Sequence, residues 1–400
     1  MALSKFNVFI DNVLFNTLTG YAIELDQKEL ELLKRGEVPG HLKGIIEEGF
    51  SSGFRDLENT VENFLKKPIL EPTLLLTYNC NFDCSYCFQK GFRKDLSVSD
   101  RVIRGFINYI LKNHNGRKVR VTYFGGEPLL ELRRIEEISK SLPGVDYSFS
   151  LVTNGSMLTK GVVDRLTPLG LSHVQITLDG PREVHDRRRY YIDGRGSFDV
   201  IVKNLRELQD RVKVVLRVNI DVHNFHEVDK LLDELKSEGI SNVRLDPHLV
   251  HTNLFRNEWW ENVIPRETES DVLLTFWQKA HERGFKIPQD IFRLGLCVAY
   301  VDEDIVVDPE GKIYPCWAFT GNHLYVKGRL EEDGTLTLNE KLLGRKTLRI
   351  REECKECPFL PLCFGGCRFL SVLEGKGYNG LDCRREAYEK IVKLVKNIMR

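Results

Sequence analysis

Ten cysteines constrain this 400-residue chain more than any other feature, because they occur in two compact sets. Three lie in the segment 80–87, and seven lie between residues 297 and 383. Dense disulfide frameworks are typical of small secreted domains, whereas this chain is large and Met1–Ile10 lacks the apolar core of a signal peptide. Short, fixed spacings in such a chain therefore predict that the cysteines bind metal.

The composition limits the partners that we expect. The chain has 58 basic and 58 acidic residues, so its formal net charge is zero. A balanced charge gives no footprint for nucleic acid or for an anionic membrane surface, and no apolar run approaches the length of a membrane span. The sequence thus predicts a soluble, cytoplasmic protein without a nucleic-acid or membrane partner.

Residues 1–71 are predicted to form a small N-terminal α+β unit. Turn residues separate short β-type runs, and helical patterns follow until Pro68 and Pro72 interrupt the chain. The predicted strands are 7–10, 13–16 and 21–25, and the predicted helices are 27–35, 41–48 and 56–66.

Residues 72–250 alternate between strand-like and helix-like runs, which predicts βα units and a parallel sheet. The predicted strands are 73–78, 119–124, 147–152, 174–178, 212–220 and 243–245. Six repeats fit a doubly wound sheet or an incomplete barrel, and periodicity does not distinguish the two. Residues 251–296 are predicted to be a helical connector, and 297–400 an irregular cysteine-rich domain that ends in a closing helix.

The first cysteine set, Cys80, Cys84 and Cys87, has the spacing C-x3-C-x2-C directly after the first strand of this region. Three thiolates on one loop can hold three irons of a [4Fe–4S] cluster and leave the fourth iron open for S-adenosylmethionine (SAM). A zinc loop is the simpler alternative. The location favours the cluster, because active sites of such sheets and barrels lie where the strands end.

Polar and glycine-rich segments follow the next three strands. They are Gly125-Gly126-Glu127-Pro128, Thr153-Asn154-Gly155 and Thr177-Leu178-Asp179-Gly180-Pro181, followed by His185-Asp186, Arg189 and Gly194–Phe198. Together with the cysteine spacing and the aromatic Tyr86, this set resembles the radical SAM superfamily. The resemblance implies a partial (β/α)6 TIM barrel and an enzyme that generates a 5′-deoxyadenosyl radical from SAM.

The same resemblance implies which residues contact SAM. They are Tyr86, Gly125, Gly126, Glu127, Pro128, Thr153, Asn154, Thr177, Asp179 and Arg189. Glu127 is expected to accept a hydrogen bond from the amino group of SAM. Arg217 and Asn219 on the fifth strand are further candidates, with an ion pair or a solvent-facing position as the alternative.

The seven remaining cysteines are Cys297, Cys316, Cys354, Cys357, Cys363, Cys367 and Cys383. A zinc ribbon could use one C-x2-C pair, but seven thiolates exceed one tetrahedral zinc site. The spacings resemble the SPASM extension of radical SAM enzymes at all seven positions. This resemblance implies one [4Fe–4S] cluster on Cys354, Cys357, Cys363 and Cys383, and another on Cys297, Cys316 and Cys367, so the cofactors would be three clusters and SAM.

The second of these clusters lacks a fourth cysteine. Some SPASM proteins have a cysteine six residues after the first one, where this chain has Glu303. Asp302, Glu303, water or the substrate could complete the site, and we expect an open or weakly held position.

SPASM enzymes mostly modify ribosomally made peptides or proteins. Sulfatase maturases carry an aspartate after the second SPASM cysteine, but here Cys316 is followed by Trp317, which disfavours formylglycine formation. The N-terminal unit loosely resembles winged-helix modules that bind a leader peptide as an added strand, with Val8–Ile10 and Val13–Phe15 as its candidate edge. A plain barrel-capping role is the alternative.

The sequence therefore predicts a radical SAM peptide maturase that oxidatively forms a thioether, C–C or C–O cross-link, or carries out related hydrogen-abstraction chemistry such as double-bond formation. Its expected partners are a precursor peptide or protein and an external electron donor of the flavodoxin or ferredoxin type. The alternatives are a small-molecule cofactor-biosynthetic enzyme, formylglycine formation and a non-enzymatic iron–sulfur scaffold. No spacing identifies a catalytic acid or base, and Arg188, Tyr190 and His251 are unsupported candidates.

Overall fold

A computed structural model describes residues 3–65, 68–90, 95–251, 262–288, 297–339 and 350–396. Within these ranges, no helix has the length and apolar character needed to cross a membrane. Part of the predicted connector, 252–261 and 289–296, lies outside the described residues, as do the last four residues of the predicted closing helix.

The N-terminal unit is a three-stranded antiparallel sheet followed by three helices. Its strands are β1 (Asn7–Ile10), β2 (Val13–Asn16) and β3 (Ala22–Glu24), and its helices are α1 (Gln27–Lys34), α2 (Lys43–Gly49) and α3 (Phe54–Leu65). Asp26 begins α1 through a capping box with Glu29, which satisfies backbone N–H groups at the helix start. Leu14, Leu33 and Phe50 form the core between the sheet and the helices.

A second sheet contains six parallel strands in chain order, which confirms the α/β prediction. After the short β4 (Ile69–Leu70), they are β5 (Thr73–Leu75), β6 (Lys118–Phe124), β7 (Tyr147–Thr153), β8 (Leu171–Thr177), β9 (Lys213–Ile220) and β10 (Arg244–Leu249). The intervening helices are α4 (Asp100–Asn113), α5 (Leu132–Lys140), α6 (Lys160–Leu166), α7 (Arg182–Arg188), α8 (Phe198–Leu208) and α9 (Val228–Ser237). Among the described strands the sheet is open rather than closed.

Burial alternates along the strands. In β9, Val214, Leu216 and Val218 are buried, whereas Arg217 and Asn219 between them are only partly buried. Successive side chains of a strand point to opposite faces, so the buried apolar residues lie on one face of the sheet and Arg217 and Asn219 lie on the other.

The first strand of this sheet is shorter than predicted. β5 ends at Leu75 because the next residues turn toward the segment 96–98, where Thr77 forms an antiparallel bridge with Ser97. The carbonyl of Leu76 accepts a hydrogen bond from the Val98 amide at 2.7 Å.

The cysteine-rich region is less irregular than predicted, because it extends the parallel sheet. β11 (Val306–Val307) pairs with β5, and β12 (Lys312–Tyr314), β13 (Gly328–Leu330) and β14 (Leu336–Leu338) follow as antiparallel neighbours. These strands are only two or three residues long, too short for periodicity to identify.

Helices from the connector and the C-terminal region pack on the sheet and on each other. They are α10 (Glu269–Glu282), α11 (Leu360–Cys363), α12 (Arg368–Leu373) and α13 (Arg385–Ile391), the last continued by a 3-10 turn over Val392–Leu394. A separate apolar cluster joins Phe6 and Leu57 of the N-terminal unit to Val301 and Leu360. The N-terminal unit therefore rests on the cysteine-rich region.

Candidate functional site

The loop that carries the first three cysteines begins where β5 ends and is held by the segment after α7. The amide of Asp83 donates to the carbonyl of Tyr190 at 2.9 Å, and that of Ser85 donates to the carbonyl of Arg188 at 3.0 Å. Phe82 is fully buried and packs edge-on against Tyr191, with ring centres 4.7 Å apart. Backbone pairing and one aromatic contact thus fix a loop that has no regular structure of its own.

The three thiols of this loop share one environment. Cys84 is buried, and Cys80 and Cys87 are partly buried. Burial raises the pKa of Cys84 to about 12; Arg189 lowers it, whereas Cys87 and Cys80 raise it. Thiols that influence each other in this way are suited to a shared metal centre, because metal ions favour the thiolate form.

Gly125 and Gly126 allow β6 to end against the cysteine loop. The amide of Gly126 donates to the carbonyl of Thr77 at 2.8 Å, and a Cβ at Gly126 would lie 2.1 Å from the carbonyl oxygen of Asn79. Gly125 has φ of 150°, and its Cβ would lie 2.4 Å from the Thr77 oxygen. Only residues without a side chain allow this approach.

Glu127 is fully buried, and its carboxylate holds two strand ends together. Oε1 accepts hydrogen bonds from the Thr153 hydroxyl at 2.8 Å and the Leu129 amide at 3.0 Å, and Oε2 accepts one from the Asn154 amide at 2.8 Å. Pro128 is buried at the start of the following 3-10 turn. The resemblance implied that Glu127 binds SAM, and the structure gives it a positioning role between β6 and β7.

Asn154 links the end of β7 to the cysteine loop. Its Nδ2 donates to Oδ1 of Asn81 at 2.7 Å and lies 4.0 Å from Sγ of Cys80, while its Oδ1 accepts from the amide of Ser156 at 2.9 Å. Nδ2 of Asn81 donates to the Ser156 hydroxyl at 3.0 Å. Asn81 and Ser156 were not predicted, although both flank motif residues.

The Tyr86 hydroxyl joins three residues that the sequence analysis placed around SAM. It donates a hydrogen bond to Oδ2 of Asp179 and accepts hydrogen bonds from Nη1 of Arg189 at 2.8 Å and Nδ2 of Asn219 at 3.0 Å. Oδ1 of Asp179 accepts a hydrogen bond from the Asn219 amide at 2.9 Å. The cysteine loop, the end of β8, the segment after α7 and β9 therefore meet at one phenol group.

Arg188 also lies at this site, although no spacing supported it. Its guanidinium stacks on the Tyr86 ring at 4.8 Å, and its Nη1 donates to Oδ2 of Asp221 at 2.5 Å. Its Nε lies 3.7 Å from Oδ2 of Asp179, too far for a hydrogen bond. The buried Nε atoms of Arg188, Arg189 and Arg217 have no hydrogen-bond partner among the described residues.

Three inward-facing arginines with unsatisfied N–H groups indicate a site for an anionic ligand, because a buried donor without a partner is costly. Arg217 itself pairs with Asp246 at 2.9 Å and donates to Gln175 at 3.2 Å, which matches the ion-pair alternative. Thr177 is buried at the end of β8. The arginines beside the three thiols thus provide a donor set that fits a carboxylate-bearing cofactor bound to iron.

Electrostatic effects link the seven C-terminal cysteines in two sets. The pKa of the Cys316 thiol is raised by burial and then by Cys297 and Cys367. Burial raises the pKa of Cys354 to about 11, and Cys363, Cys357 and Cys383 raise it further, as does Glu353. Groups of three and four cysteines match the division implied by the resemblance, while the assignment of each as a ligand stays a prediction.

Within the described residues, no three Cys, His, Asp or Glu side chains converge closely enough to hold a single metal ion. Each thiolate of a [4Fe–4S] cluster binds a different iron, so cluster ligands surround a volume instead of a point. The thiol sets fit clusters by their chemistry and grouping.

Asp302 and Glu303 are engaged by basic residues. Oε2 of Glu303 lies 2.6 Å from Nη1 of Arg117, and the side chain is 56% exposed. Oδ1 of Asp302 lies 3.6 Å from Nζ of Lys327. These pairings disfavour either carboxylate as the fourth ligand beside Cys297.

Trp317 takes part in an aromatic stack near the ends of β5 and β6. Its ring lies 5.3 Å from that of Phe124, which in turn lies 6.4 Å from Phe88, and its Nε1 donates to the Thr73 hydroxyl at 3.1 Å. The stack connects residues adjacent to Cys87 and Cys316. The position after Cys316 therefore supplies a packed aromatic side chain and no acid or base.

Known proteins share this architecture. Residues 74–235 match the model of the radical SAM superfamily. The chain is 28% identical to the Fe-coproporphyrin III synthase of Methanosarcina barkeri over 168 residues, 41% of each chain. It is 26% identical to the cysteine-type anaerobic sulfatase-maturating enzyme of Clostridium perfringens over 334 residues, which cover 71% of this chain and 84% of the relative.

Solved structures resemble the chain beyond the central sheet. The sulfatase maturase anSMEcpe, with bound SAM and the Kp18Cys peptide, has a TM-score of 0.67 and 19% identity, and the alignment covers 83% of this chain and 98% of that one. Streptococcus suis SuiB bound to its precursor peptide SuiA has a TM-score of 0.55 and 17% identity, with coverages of 96% and 97%.

Residues 74–235 therefore carry a radical SAM domain, and the chain is an enzyme. Its relatives include SPASM-type enzymes, the group that the seven C-terminal cysteines resemble. A radical SAM domain implies a [4Fe–4S] cluster and SAM.

Proposed function

We propose that the protein is a radical SAM peptide maturase that oxidatively modifies a ribosomally made peptide or protein. The observation that carries this proposal is the presence, in one chain, of a buried site beside three thiols and two further groups of three and four thiols. When bound, SAM and a reduced [4Fe–4S] cluster supply a 5′-deoxyadenosyl radical that removes a hydrogen atom from the substrate.

In this proposal Cys80, Cys84 and Cys87 hold the cluster that binds SAM. The proposed SAM contacts at the ends of β6, β7 and β8 are Gly125, Gly126, Glu127, Pro128, Thr153, Asn154, Thr177 and Asp179. Arg189 follows α7, Arg217 and Asn219 lie in β9, and Tyr86 lies in the cysteine loop. The Asn154 amide near Cys80 is placed to donate to a cluster sulfur. Hydrogen bonds to sulfur are among the features that set cluster potentials.

The other residues of the site orient these groups. Glu127 joins the ends of β6 and β7, and Tyr86 joins the cysteine loop to β8 and β9. Arg188 and Arg189 keep positive charge beside Tyr86, where their unsatisfied N–H groups can bind a carboxylate. Phe82 of the cysteine loop is fully buried, and this apolar packing limits the access of water to a radical.

Two additional clusters complete the proposed cofactor set. Cys354, Cys357, Cys363 and Cys383 hold one, and Cys297, Cys316 and Cys367 hold the other. A two-electron oxidation of the substrate leaves one electron after hydrogen removal, and these clusters would accept it. An external donor of the flavodoxin or ferredoxin type would supply the electron that reduces the cluster on Cys80, Cys84 and Cys87. Thiolate ligands need a reducing environment, which supports a cytoplasmic location.

A peptide substrate is supported by two structural neighbours, because anSMEcpe and SuiB were both solved with peptides. The SuiB alignment covers 96% of this chain and so reaches into the N-terminal unit. Among the described strands, β1 and β3 each pair only with β2, so both could take an added strand. The predicted edge at Val8–Ile10 lies in β1, whereas the prediction for Val13–Phe15 was wrong, because β2 is paired on both sides. We therefore propose residues 1–71 as the leader-binding unit, ahead of the barrel at 72–250, the connector at 251–296 and the SPASM domain at 297–400.

The test is a turnover assay with reconstituted enzyme, SAM, dithionite and the short peptides encoded beside the gene. We expect 5′-deoxyadenosine together with a peptide whose mass falls by about two hydrogens, since a cross-link removes two hydrogen atoms. Formation of deoxyadenosine with every peptide unchanged in mass would contradict cross-linking. Deuterium exchange at Cα in the same samples would then report epimerisation.

Formylglycine formation is the second candidate because the sulfatase-maturating relative matches 71% of this chain. Trp317, which donates to Thr73 and stacks on Phe124, argues against it, since it cannot act as a base. A cysteine-containing sulfatase peptide in the same assay distinguishes the two: an aldehyde product would support formylglycine formation, and its absence beside a cross-linked native peptide would exclude it.

A further inference from the structure

Arg368 follows Cys367 directly and begins helix α12. Its guanidinium carbon lies 4.8 Å from the centre of the Tyr300 ring and 5.9 Å from that of Tyr378. An arginine over one aromatic face is common, but contact with two rings restrains the planar group more than one ring would.

Both tyrosine rings are fixed by their hydroxyl groups. The Tyr300 hydroxyl donates to the carbonyls of Phe364 at 3.2 Å and Gly366 at 3.0 Å, and the Tyr378 hydroxyl donates to the carbonyl of Ala299 at 3.3 Å. Phe364 and Gly366 lie between two of the cysteines, and Ala299 lies two residues after Cys297. The clamp is thus built from the same segments that carry the proposed cluster ligands.

The clamped charge is not neutralised by a carboxylate. Among the described residues, Arg368 has no hydrogen-bond or ion-pair partner, whereas the nearby Arg384 and Arg266 both bind Asp382, at 2.9 and 2.5 Å. Aromatic rings stabilise a cation without cancelling its charge.

The pKa of Tyr378 is influenced both by the charge of Arg368 and by nearby cysteines. The pKa of Tyr378 is raised by burial and then by Cys316, and it is lowered by Arg368. The Tyr378 ring, which contacts the guanidinium, therefore also lies near Cys316 and Cys297.

We propose that Arg368 is a fixed positive charge that raises the reduction potential of the cluster held by Cys297, Cys316 and Cys367. This inference rests on the proposed function, because it requires that cluster. One-electron reduction makes a cluster more negative by one charge, so a nearby cation stabilises the reduced form more than the oxidised form.

The consequence lies in the oxidation step of the proposed reaction. Hydrogen removal takes one electron and one proton from the substrate as a hydrogen atom, and bond formation releases a second proton to solvent and a second electron. A cluster of raised potential accepts that second electron more readily. In this proposal Arg368 acts by holding a positive charge near the cluster, and it contacts neither SAM nor the reacting atoms.

The experiment is a potentiometric titration of the full-length, anaerobically reconstituted enzyme, followed by electron paramagnetic resonance. Cys316→Ala identifies the signal of the cluster in question. Arg368→Gln removes the charge, Arg368→Lys keeps it, and Tyr378→Leu removes one side of the clamp. Arg385→Gln is the matched control, because Arg385 lies near the other cysteine group, is 57% exposed and pairs with Glu389.

We expect Arg368→Gln to shift the midpoint of this signal to a more negative potential, Arg368→Lys to restore at least half of the shift, and Tyr378→Leu to give a smaller negative shift. Arg385→Gln should leave the midpoint unchanged. An unchanged midpoint in Arg368→Gln at wild-type iron content overturns the inference, as does an equal shift in the control.

Failure of the underlying proposal gives a different result. If wild-type enzyme lacks any signal that Cys316→Ala abolishes, the cluster assignment is wrong and the inference falls with it. If Arg368→Gln loses this cluster, the midpoint potential of Tyr378→Leu is the test instead. An unchanged midpoint in that variant overturns the role of the clamp.

Discussion

The hydroxyl of Tyr86 donates a hydrogen bond to the carboxylate of Asp179, joining the cysteine loop to the end of β8 across 93 residues of sequence. Because the same oxygen accepts hydrogen bonds from Arg189 and Asn219, one phenol group is hydrogen-bonded to three residues of the proposed SAM site. The cluster loop and the SAM contacts are therefore positioned together, and a change at Tyr86 should affect SAM binding before it affects the cluster.

Tyr86→Phe should weaken SAM binding about tenfold or more. The variant leaves Oδ2 of the buried Asp179 and two donors without this partner, at a cost of about 1–3 kcal/mol, and about 1.4 kcal/mol is a tenfold change in affinity. Equilibrium dialysis with labelled SAM measures the effect. Tyr191→Phe is the control, because the Tyr191 ring packs on the same loop and its backbone and ring contacts do not involve its hydroxyl. Equal SAM affinity in Tyr86→Phe and wild-type enzyme would refute the role of this hydroxyl.

Gly126→Ala should destabilise the protein by about 1–3 kcal/mol or more, because overpacking against a backbone is poorly relieved. The added Cβ would lie 2.1 Å from the Asn79 oxygen, beside the first cysteine. Urea unfolding measures the free energy of unfolding, and iron analysis reports loss of the neighbouring cluster. Gly44→Ala is the control: Gly44 lies in α2 with open space around its Cβ position, so this variant should be neutral or stabilising.

His185 should make the protein less stable in mild acid. Burial, and then Arg189 and Arg188, hold its pKa well below the ordinary value of 6.5. The neutral ring accepts from the Asp179 amide at 3.2 Å through Nδ1 and lies 3.0 Å from the Ser197 hydroxyl through Nε2. Since the unfolded chain binds a proton near pH 6.5 and the folded chain does not, this contribution is complete above that pH and is lost as the pH falls.

Urea unfolding between about pH 5.5 and 7.5 tests this prediction. Below pH 6.5 the wild-type free energy of unfolding should fall by up to about 1.4 kcal/mol per pH unit for this one group. His185→Gln should lower stability at pH 7.5 but flatten the slope, whereas the exposed His281→Gln should not change it. A slope in His185→Gln that equals the wild-type slope would show that another group controls the acid sensitivity.

The three cysteine groups should be removable one at a time. Wild-type enzyme should bind about twelve irons, as three [4Fe–4S] clusters require, and loss of one cluster should leave about eight. The variants are Cys80→Ala/Cys84→Ala/Cys87→Ala, Cys297→Ala/Cys316→Ala and Cys354→Ala/Cys357→Ala. Only the first should abolish reductive cleavage of SAM, measured as 5′-deoxyadenosine. About eight irons in the wild type would contradict the assignment of three clusters.

Local sequence signals predicted most of the fold. The predicted strands 7–10 and 13–16 agree with β1 and β2 to the residue. The helices α4 and α6 also begin at local signals, because the side chains of Ser99 and Thr159 accept hydrogen bonds from backbone amides at the helix starts. The strands β11 to β14 were missed because two or three residues carry too little pattern.

Composition and spacing by themselves determined the cysteine sets, the alternating parallel sheet and the motifs at its strand ends, because each depends on neighbours along the chain. Only the tertiary structure decided that the Glu127 carboxylate accepts hydrogen bonds from the end of β7 and that Tyr86 donates one to Asp179. The same is true of the contact between Arg368 and two tyrosine rings. Such partners are chosen by which distant segments abut, since a buried polar or charged group must find its partner wherever the fold provides one.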